Sequence, residues 1–396
     1  MKRAIALFLL AVLTLSLFTG CAKKNTATET EKGSDESAQN AADGETTWGI
    51  EPLAEKTTLD IAYFSGVMHS LPIYVADEKG WFDEVNLELE YSSFTSGPAM
   101  MEANESWDIA TTGSPGVLVG MLGYDVYCIG NCEYDAVLNL YVREDSPIYQ
   151  AGQGHNDVNS EVYGTADAWK GTEWLLPVGT TTNIVLDSTL AMFGLTEADI
   201  TLVNMDNSTG FAAFKAGEGD GVCLSLSVAM AAEDAGFKKV SGLDLTGDLI
   251  ECGMCATKDA LENKCDAVKK FYEIYYRTSE WIRDNMEEAE AYYLETCEIE
   301  GIACDEKTAK YICERRNSPT ITDVVEQGRT TVEYDAYTKR PVTKAEADLL
   351  VTMDFFISTG KYSEADRDKI LDNGMFDTSI AEEVYADMQA GGRWTE

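Results

Sequence analysis

Histidine and basic residues are scarce in this chain. Its 396 residues include only two histidines, His69 and His155, and 30 lysines and arginines against 69 aspartates and glutamates, for a formal net charge of −39. Nucleic-acid binding needs a basic surface, so the composition argues against a nucleic-acid partner. Two histidines leave little room for a zinc site or for general-base catalysis by imidazole, and we expect neither a metal nor a cofactor.

Long apolar runs are also missing after the N-terminus. The basic start Met1-Lys-Arg precedes an apolar run, Ala4–Phe18, that is too short to span a membrane and predicts a signal peptide over residues 1–20. The following Leu17-Phe-Thr-Gly-Cys21 resembles a bacterial lipobox, although the family usually has Leu at the position of Phe18. The lipobox implies a lipidated Cys21, and the alternative is an ordinary secretory signal that happens to precede a cysteine.

The segment after Cys21 is polar. Residues 22–47 contain no large apolar side chain, which predicts a disordered tether and, with the lipidated cysteine, assigns residues 21–56 to an anchor region. We therefore expect an extracytoplasmic protein that is lipid-anchored to the bacterial cell membrane.

From residue 57 onward short apolar strands alternate with amphipathic segments. This alternation is typical of α/β domains with largely parallel sheets, and a polar stretch after Val142 separates two such series. From Lys258 the pattern is mainly helical, with clear periods in Val268–Asp284 and Lys344–Ser358. The sequence predicts two lobes, each a mixed, mostly parallel sheet flanked by helices: lobe I over 57–145, lobe II over 146–244, and a return to lobe I with a helical C-terminal extension over 245–396.

Small hydroxyl residues and glycines follow four of the predicted strands, at the points where helices begin. Ligands of open α/β sheets bind outside the carboxyl ends of strands, where glycine allows close approach and helix N–H groups and hydroxyls donate hydrogen bonds. The same residue types are ordinary N-cap and turn residues, so each position has a purely structural alternative. The candidate ligand-binding residues, including one aromatic side chain that can stack on a flat ring, are Phe64, Ser65, Gly66, Ser96, Gly97, Thr112, Gly113, Ser114, Thr180, Thr181, Thr182 and Asn183.

Arginine is nearly absent from the two predicted lobes. Arg143 is the only arginine between Thr57 and Gly247. A bidentate guanidinium clamp on a carboxylate is therefore not evident, which argues against a typical amino-acid binder. A sulfonate, a small oxyanion or a neutral heterocycle, held by backbone donors and hydroxyls, fits the composition better.

Nine cysteines remain besides Cys21, an odd number that leaves at least one thiol without an intramolecular partner. Cys252 and Cys255 have the spacing of a redox motif, but they lie in a predicted strand, where residues three apart point to opposite faces. Cys297 and Cys304 flank Gly301 between two predicted helices, and a disulfide between them is one possibility. The chain has no Gly-x-Ser-x-Gly motif, and we expect no enzyme; the alternative is an exported enzyme or a thiol-redox protein using Cys252 and Cys255.

Several segments, in order, resemble one protein family. Pro72-Ile-Tyr-Val-Ala-Asp-Glu-Lys-Gly-Trp-Phe82, Ser93-Phe-Thr-Ser-Gly-Pro98, Thr112-Gly-Ser-Pro115, Gly179-Thr-Thr-Thr-Asn183 and Phe211-Ala-Ala-Phe-Lys-Ala-Gly217 are similar to segments of ABC-transporter solute-binding proteins. The similarity is to the nitrate, sulfonate and taurine type, which also includes binders of the thiamine pyrimidine precursor. No single segment is specific, but their order over residues 57–300 is.

This resemblance implies a two-lobed, type II periplasmic-binding-protein fold that closes on a small molecule about hinges near Val142–Pro147 and Ser241–Gly247. It further implies a monomer that delivers its ligand, a sulfonate or taurine-like compound, a small oxyanion or a pyrimidine-like compound, to an ABC permease and its ATPase.

Overall fold

A computed structural model describes residues 46–64 and 67–392, and most of their strands form two five-stranded sheets. The predicted signal peptide, Cys21 and residues 22–45 of the predicted tether lie outside the described residues. The predicted tether region extended to residue 56, but Ile50 is 2% exposed and Trp48 packs on Trp81, so its last residues pack on the first lobe. The strands are β1 Thr57–Phe64, β2 Leu87–Phe94, β3 Ile109–Gly113, β4 Val126–Tyr134, β5 Leu138–Val142, β6 Glu173–Leu176, β7 Thr201–Asn204, β8 Gly221–Ser225, β9 Lys238–Gly242, β10 Glu251–Thr257, β11 Thr331–Val332 and β12 Val342–Thr343.

Helices connect these strands and make up most of the C-terminal third. They span Leu71–Glu78, Gly97–Glu102, Ser114–Gly123, Pro147–Ala151, Ala166–Trp169, Thr181–Met192, Asn207–Ala216, Leu226–Asp234, Leu243–Thr246, Lys258–Asn263, Cys265–Asp284, Met286–Glu300, Glu306–Cys313, Ile321–Arg329, Lys344–Ser358, Glu364–Asp372 and Ser379–Ala390.

The first sheet has the order β2-β1-β3-β10-β4. Strands β1, β2 and β3 are parallel, and β10 runs antiparallel to both of its neighbours, so four of the five strands share one direction. Every residue of β10 is buried, as expected for a strand with helices on both faces of its sheet. On one face the helix Cys265–Asp284 packs Phe271 in a stacked contact on Phe82.

The second sheet, of order β7-β6-β8-β5-β9, repeats this plan. Strand β6 is parallel to β7 and β8, and β5 is the reversed strand, antiparallel to β8 and β9. Two mixed, mostly parallel sheets flanked by helices, with a helical C-terminal region, confirm the predicted fold class. In each sheet the reversed strand is the one that enters from the other lobe.

The chain crosses between the sheets at residues 135–137, before β5, and at residues 243–250, after β9. The first crossing lies before β5, whereas the sequence placed the lobe boundary at 145 and a hinge at Val142–Pro147. The predicted boundary was wrong because all five residues of β5 are buried and none is charged, so the local pattern does not show which of the two sheets the strand joins. The second predicted hinge, Ser241–Gly247, overlaps the second crossing.

The C-terminal helices pack against both lobes. One apolar cluster joins Val117 of the first lobe, Trp169 and Leu176 of the second, and Leu349 and Met353 of the helix Lys344–Ser358. This helix begins with a capping box in which Thr343 and Glu346 bond each other's backbone N–H groups. Within the described part of the chain, no helix combines the length and the apolar character that a membrane span requires.

Candidate functional site

A cavity of about 350 Å³ lies where the carboxyl ends of strands from both sheets meet. Seven of the predicted ligand-binding residues line it. They come from two strand-to-helix junctions of the first lobe and one of the second: Ser96, Gly97, Thr112, Gly113, Thr180, Thr181 and Thr182.

The other predicted residues are placed differently. Ser114 is buried beside the cavity, and its Oγ lies 2.8 Å from Oγ1 of Thr352. Asn183 is also fully buried and acts behind the cavity wall. Ser65 and Gly66 lie outside the described residues, and only the backbone of Phe64 is described, as the end of β1.

The first lobe contributes a buried hydroxyl to the wall. Thr112 is 1% exposed, and its Oγ1 has no hydrogen-bond partner among the described residues. Gly97 leaves space for this hydroxyl, since a Cβ there would lie 2.6 Å from Thr112 Oγ1 and 2.9 Å from Gly116 Cα. A buried hydroxyl without a partner carries a desolvation penalty that a polar ligand can relieve.

The second lobe contributes the helix start at Thr180–Thr182. Oγ1 of Thr180 donates to the Pro177 carbonyl at 2.6 Å and lies 2.9 Å from Oγ1 of Thr182, and no side chain caps this helix. Oδ1 of Asn183 accepts from the Gly179 N–H at 3.0 Å, which holds the loop before the helix. The first N–H groups of the helix therefore remain available at the cavity.

Two further helix starts line the cavity that were not among the predicted ligand-binding positions. They are Asp206–Ser208, after β7, and Ser225–Ser227, after β8, and the Asn207 amide donates to Ser225 Oγ at 2.8 Å. Both segments have small polar residues directly after a strand, the same sequence pattern that predicted the other four junctions. Among the described residues, five α-helices begin at the cavity.

Carboxylates also face the cavity, and no local sequence pattern predicts them. Asp135 lies on the first crossing, and burial raises its pKa to about 6, while hydrogen bonds from Thr181 and Cys252 act in the other direction. Glu300, at the end of a helix remote in sequence, accepts from the Tyr63 hydroxyl at 2.9 Å. Asp206 caps its own helix by accepting from the Thr209 N–H at 2.9 Å.

The described residues that line the cavity include no lysine and no arginine. His69 is the one histidine among them; burial, with a smaller contribution from Arg316, lowers its pKa to about 3, so its ring is neutral at physiological pH. Its Nδ1 lies 2.9 Å from Thr111 Oγ1. The cavity thus combines backbone and hydroxyl donors with carboxylates and has no cationic side chain.

The two cysteines of the redox-like spacing are separated by the strand that carries them. Cys252 lines the cavity and packs in the cluster on one face of the first sheet, while Cys255 packs in the cluster on the other face. Burial raises the pKa of the Cys252 thiol well above its usual range. Opposite faces of one strand do not bring two sulfurs into bonding distance, so this pair does not form a dithiol site.

A family model described as NMT1/THI5 like matches residues 68–289, more than half of the chain. A comparison of this chain with proteins of curated description found no match.

Solved structures share the fold at low sequence identity. The periplasmic aliphatic sulphonate-binding protein SsuA from Escherichia coli is 18% identical, with a TM-score of 0.56, over 78% of this chain and 96% of that one. The alkanesulfonate-binding protein SsuA from Xanthomonas axonopodis, bound to MOPS, is 16% identical, with a TM-score of 0.57, over 78% and 95%. A Candida albicans protein with the generic periplasmic-binding-protein fold is 12% identical, with a TM-score of 0.59, over 79% and 94%. The fold is therefore the one that the sequence resemblance implied.

Proposed function

Because this chain belongs to the NMT1/THI5-like family, we propose that it is the extracytoplasmic solute-binding component of an ABC importer. In this proposal the cavity between the lobes captures a small molecule, and the closed protein delivers it to a permease coupled to an ATPase. Two structural neighbours with sulfonate-binding names support a sulfonate-like ligand.

The observation that carries the proposal is the convergence of five helix starts on one cavity between two sheets. Three of these helices, those that begin at Ser114, Thr181 and Leu226, have no side-chain cap. Their first N–H groups and the positive end of the helix dipole suit an oxyanion without a basic side chain. Each favourable interaction between a ligand charge and the dipole at a helix end contributes about 0.3–1 kcal/mol, and more when the charge is partly buried.

The carboxylates refine the ligand. An anion without a cationic group would meet Asp135 and Glu300 without compensation from any lysine or arginine of the described lining. A molecule with an acceptor-rich head and an amino group fits both the helix starts and the carboxylates. Its head accepts hydrogen bonds from the helix N–H groups, and its amine pairs with the carboxylates. A taurine-like aminosulfonate has this character, and an amino-substituted pyrimidine is the second candidate.

The topology supports closure. Among the described residues, two segments, 135–137 and 243–250, connect the second sheet to the first, and we infer that the lobes rotate about them. The C-terminal helices pack against both lobes, so closure also changes these contacts. The ligand favours the closed arrangement because only there do helix starts of both lobes contact it at once. We further propose that Cys21 carries the lipid anchor and that residues 22–47, which contain no large apolar side chain, form the tether.

Thermal melting with added compounds tests the function. We expect taurine to raise the melting temperature, ethanesulfonate, which lacks the amine, to raise it less, and nitrate to have little effect; at 100 times Kd the stabilisation is about 2.7 kcal/mol. A shift only with 4-aminopyrimidine would replace the sulfonate by the heterocycle. No shift with any of the four compounds would contradict the proposed ligand classes.

A further inference from the structure

The helix Met286–Glu300 ends in a sharp reversal beside the cavity. Gly301 adopts a left-handed conformation with φ of 70°, the Ile302 N–H bonds the Cys297 carbonyl at 2.8 Å, and the Gly301 N–H bonds the Glu298 carbonyl at 3.2 Å. This is the hydrogen-bond pattern of a Schellman motif. The reversal brings Cys304 back to the last turn of the helix, where it packs against the same apolar cluster as Cys297.

The two thiols are in contact. The two sulfurs lie within hydrogen-bonding reach of each other, and this contact holds the pKa of Cys297 below its usual range and raises the pKa of Cys304. The Cys304 sulfur also lies 3.7 Å from the Asp305 carbonyl oxygen, to which its thiol donates. Cys297 is 1% exposed, whereas Cys304 is partly exposed and reachable from solvent. The structure therefore pairs an accessible thiol with a buried one that ionises more easily.

The loop between these cysteines forms part of the cavity wall. Glu300 and Ile302, both within it, line the cavity, and Glu300 also accepts from Tyr63. The Cys297 sulfur is further hydrogen-bonded to the side chain of Ser227, a lining residue of the second lobe. The thiol pair thus touches both lobes directly behind the wall.

We propose that Cys297 and Cys304 are a redox-sensitive pair whose disulfide closes the loop 297–304 and changes the cavity wall. The inference rests on the proposed function only in treating this cavity as the ligand site. Bond formation moves the Cys297 sulfur from Ser227 towards Cys304, so the wall and the contact between the lobes change together.

A small-molecule disulfide such as oxidised glutathione is the oxidant. The Cys297 thiolate takes the proton of the Cys304 thiol as the Cys304 sulfur attacks one glutathione sulfur; the glutathione S–S bond breaks, and a mixed disulfide forms with release of one glutathione thiolate. Cys297 gives this proton to the released glutathione thiolate, and its sulfur then attacks the Cys304 sulfur and releases the second glutathione. Two cysteine thiols lose two protons and two electrons, and one glutathione disulfide becomes two glutathione thiols.

The other described cysteines offer no pair with an accessible thiol. Cys128 and Cys255 face each other on β4 and β10 with their sulfurs in hydrogen-bonding contact, but both are buried. Cys265 is the one other partly exposed cysteine among the described residues, and the remaining six are buried. Burial raises the pKa of Cys313, which lies near Cys297, to about 12. Cys265→Ser is therefore a matched control that removes a partly exposed thiol elsewhere.

The test uses the full chain equilibrated in mixtures of reduced and oxidised glutathione, quenched in acid, alkylated and analysed by peptide mass spectrometry. We expect the 297–304 disulfide, seen as a loss of two hydrogen masses, to form at more reducing potentials than any other cysteine modification. Cys304→Ser should abolish it and Cys265→Ser should leave it unchanged. Full alkylation of both cysteines in excess oxidised glutathione, or a stable mixed disulfide on Cys304, would overturn the proposal.

Hydrogen–deuterium exchange tests the effect on the wall and needs no ligand. We expect oxidation to change exchange at least threefold in the segment Ser225–Val228 of the wild-type protein and not in Cys304→Ser. Unchanged exchange in a protein shown by mass to carry the disulfide would overturn the coupling. Both readouts are independent of taurine binding, so a failure of the proposed function is recognised separately.

Discussion

A Cβ atom on Gly113 would lie 2.7 Å from Cγ2 of Thr181. Gly113 ends β3 of the first sheet and Thr181 begins a helix of the second lobe, so the lobes meet at this point of the cavity. Gly113 has φ of −63° and ψ of 156°, a conformation that alanine adopts without strain. The glycine is therefore needed for the approach of the two lobes and not for its backbone freedom.

Gly113→Ala should hinder closure without unfolding the protein. We expect taurine affinity to fall about tenfold or more, equivalent to about 1.4 kcal/mol, because the added methyl group separates the helix starts. Titration calorimetry measures the affinity. The control is Gly123→Ala, at the other end of the same helix, where a Cβ meets no atom within 4 Å. Equal affinity of the two variants would contradict the role of this contact.

Asp135 should make binding of an amine-bearing ligand depend on pH. Burial raises its pKa to about 6, so the carboxyl is mainly neutral at pH 5 and ionised at pH 7. We expect taurine affinity to rise about fivefold across this range, on the order of 1 kcal/mol, as a charge-assisted contact forms. In Asp135→Asn the dependence should disappear.

The same titration with ethanesulfonate separates the ligand classes. Without an amine, the sulfonate is repelled by the ionised carboxylate, so its affinity should fall between pH 5 and pH 7. Glu133 lies close to Asp135. Burial raises its pKa to about 8 against the lowering effect of Arg316, so Glu133 titrates above this pH range. A rise with ethanesulfonate equal to that with taurine would refute a contact between the amine and Asp135.

Lys361 links the C-terminal extension to the second lobe. Its Nζ donates to Glu197 Oε1 at 3.0 Å and to Asn183 Oδ1 at 3.4 Å, and Asn183 in turn holds the Gly179 N–H at the cavity. Lys361→Met should lower the free energy of unfolding by about 1–2 kcal/mol, because the buried Asn183 oxygen and the partly buried Glu197 carboxylate lose their charged donor. Urea denaturation measures the change.

An exposed ion pair provides the control for Lys361. Lys56 and Glu88 lie 3.0 Å apart with side chains 58% and 49% exposed, and such pairs contribute about 0–1 kcal/mol. Lys56→Met should therefore change the free energy of unfolding less than Lys361→Met. A larger effect at Lys56 would show that Lys361 does not link the extension to the lobe.

Asp187 should make the protein less stable as the pH rises. Burial, followed by the nearby Glu197, raises its pKa from 3.8 to about 8. The folded state then holds a proton between pH 4 and pH 8 that the unfolded state has lost, so the contribution to stability is full below the unfolded pKa and lost on approaching pH 8.

Comparison with Asp187→Asn isolates this contribution from the general repulsion of a chain with 69 acidic residues. We expect the free energy of unfolding of the wild-type protein to fall, relative to the variant, by at least about 1 kcal/mol between pH 5 and pH 8. Parallel urea curves at each pH measure the difference. A constant difference would show that Asp187 keeps its ordinary pKa.

Local pattern was sufficient for most elements of the fold. The helix Lys344–Ser358 has the predicted bounds, the predicted helical period Val268–Asp284 lies within the helix Cys265–Asp284, and Cys252 and Cys255 lie in a strand as predicted. Apolar periodicity reports the local backbone directly, because side chains alternate along a strand and recur every three to four residues along a helix.

The candidate site was predicted in part, and the reason lies in distance along the chain. Residues Thr180–Thr182 follow a strand, and their place at a sheet edge is a local property. Glu300 reaches the cavity from the end of a helix far along the chain, and Asp135 reaches it from a crossing. No periodic signal marks such residues, because only the packing of distant elements places them.

The scarcity of histidine and arginine, the alternation of strands and helices, and the small polar residues after strands were all determined by the sequence itself, since each is composition or local pattern. Tertiary structure alone decided which sheet β5 joins, that five helix starts share one cavity with two carboxylates from distant segments, and that Cys304 contacts Cys297. Strand pairing and chain reversal depend on long-range contacts. The free energy of these contacts comes from the packing of segments that are distant in sequence, so no single segment predicts them.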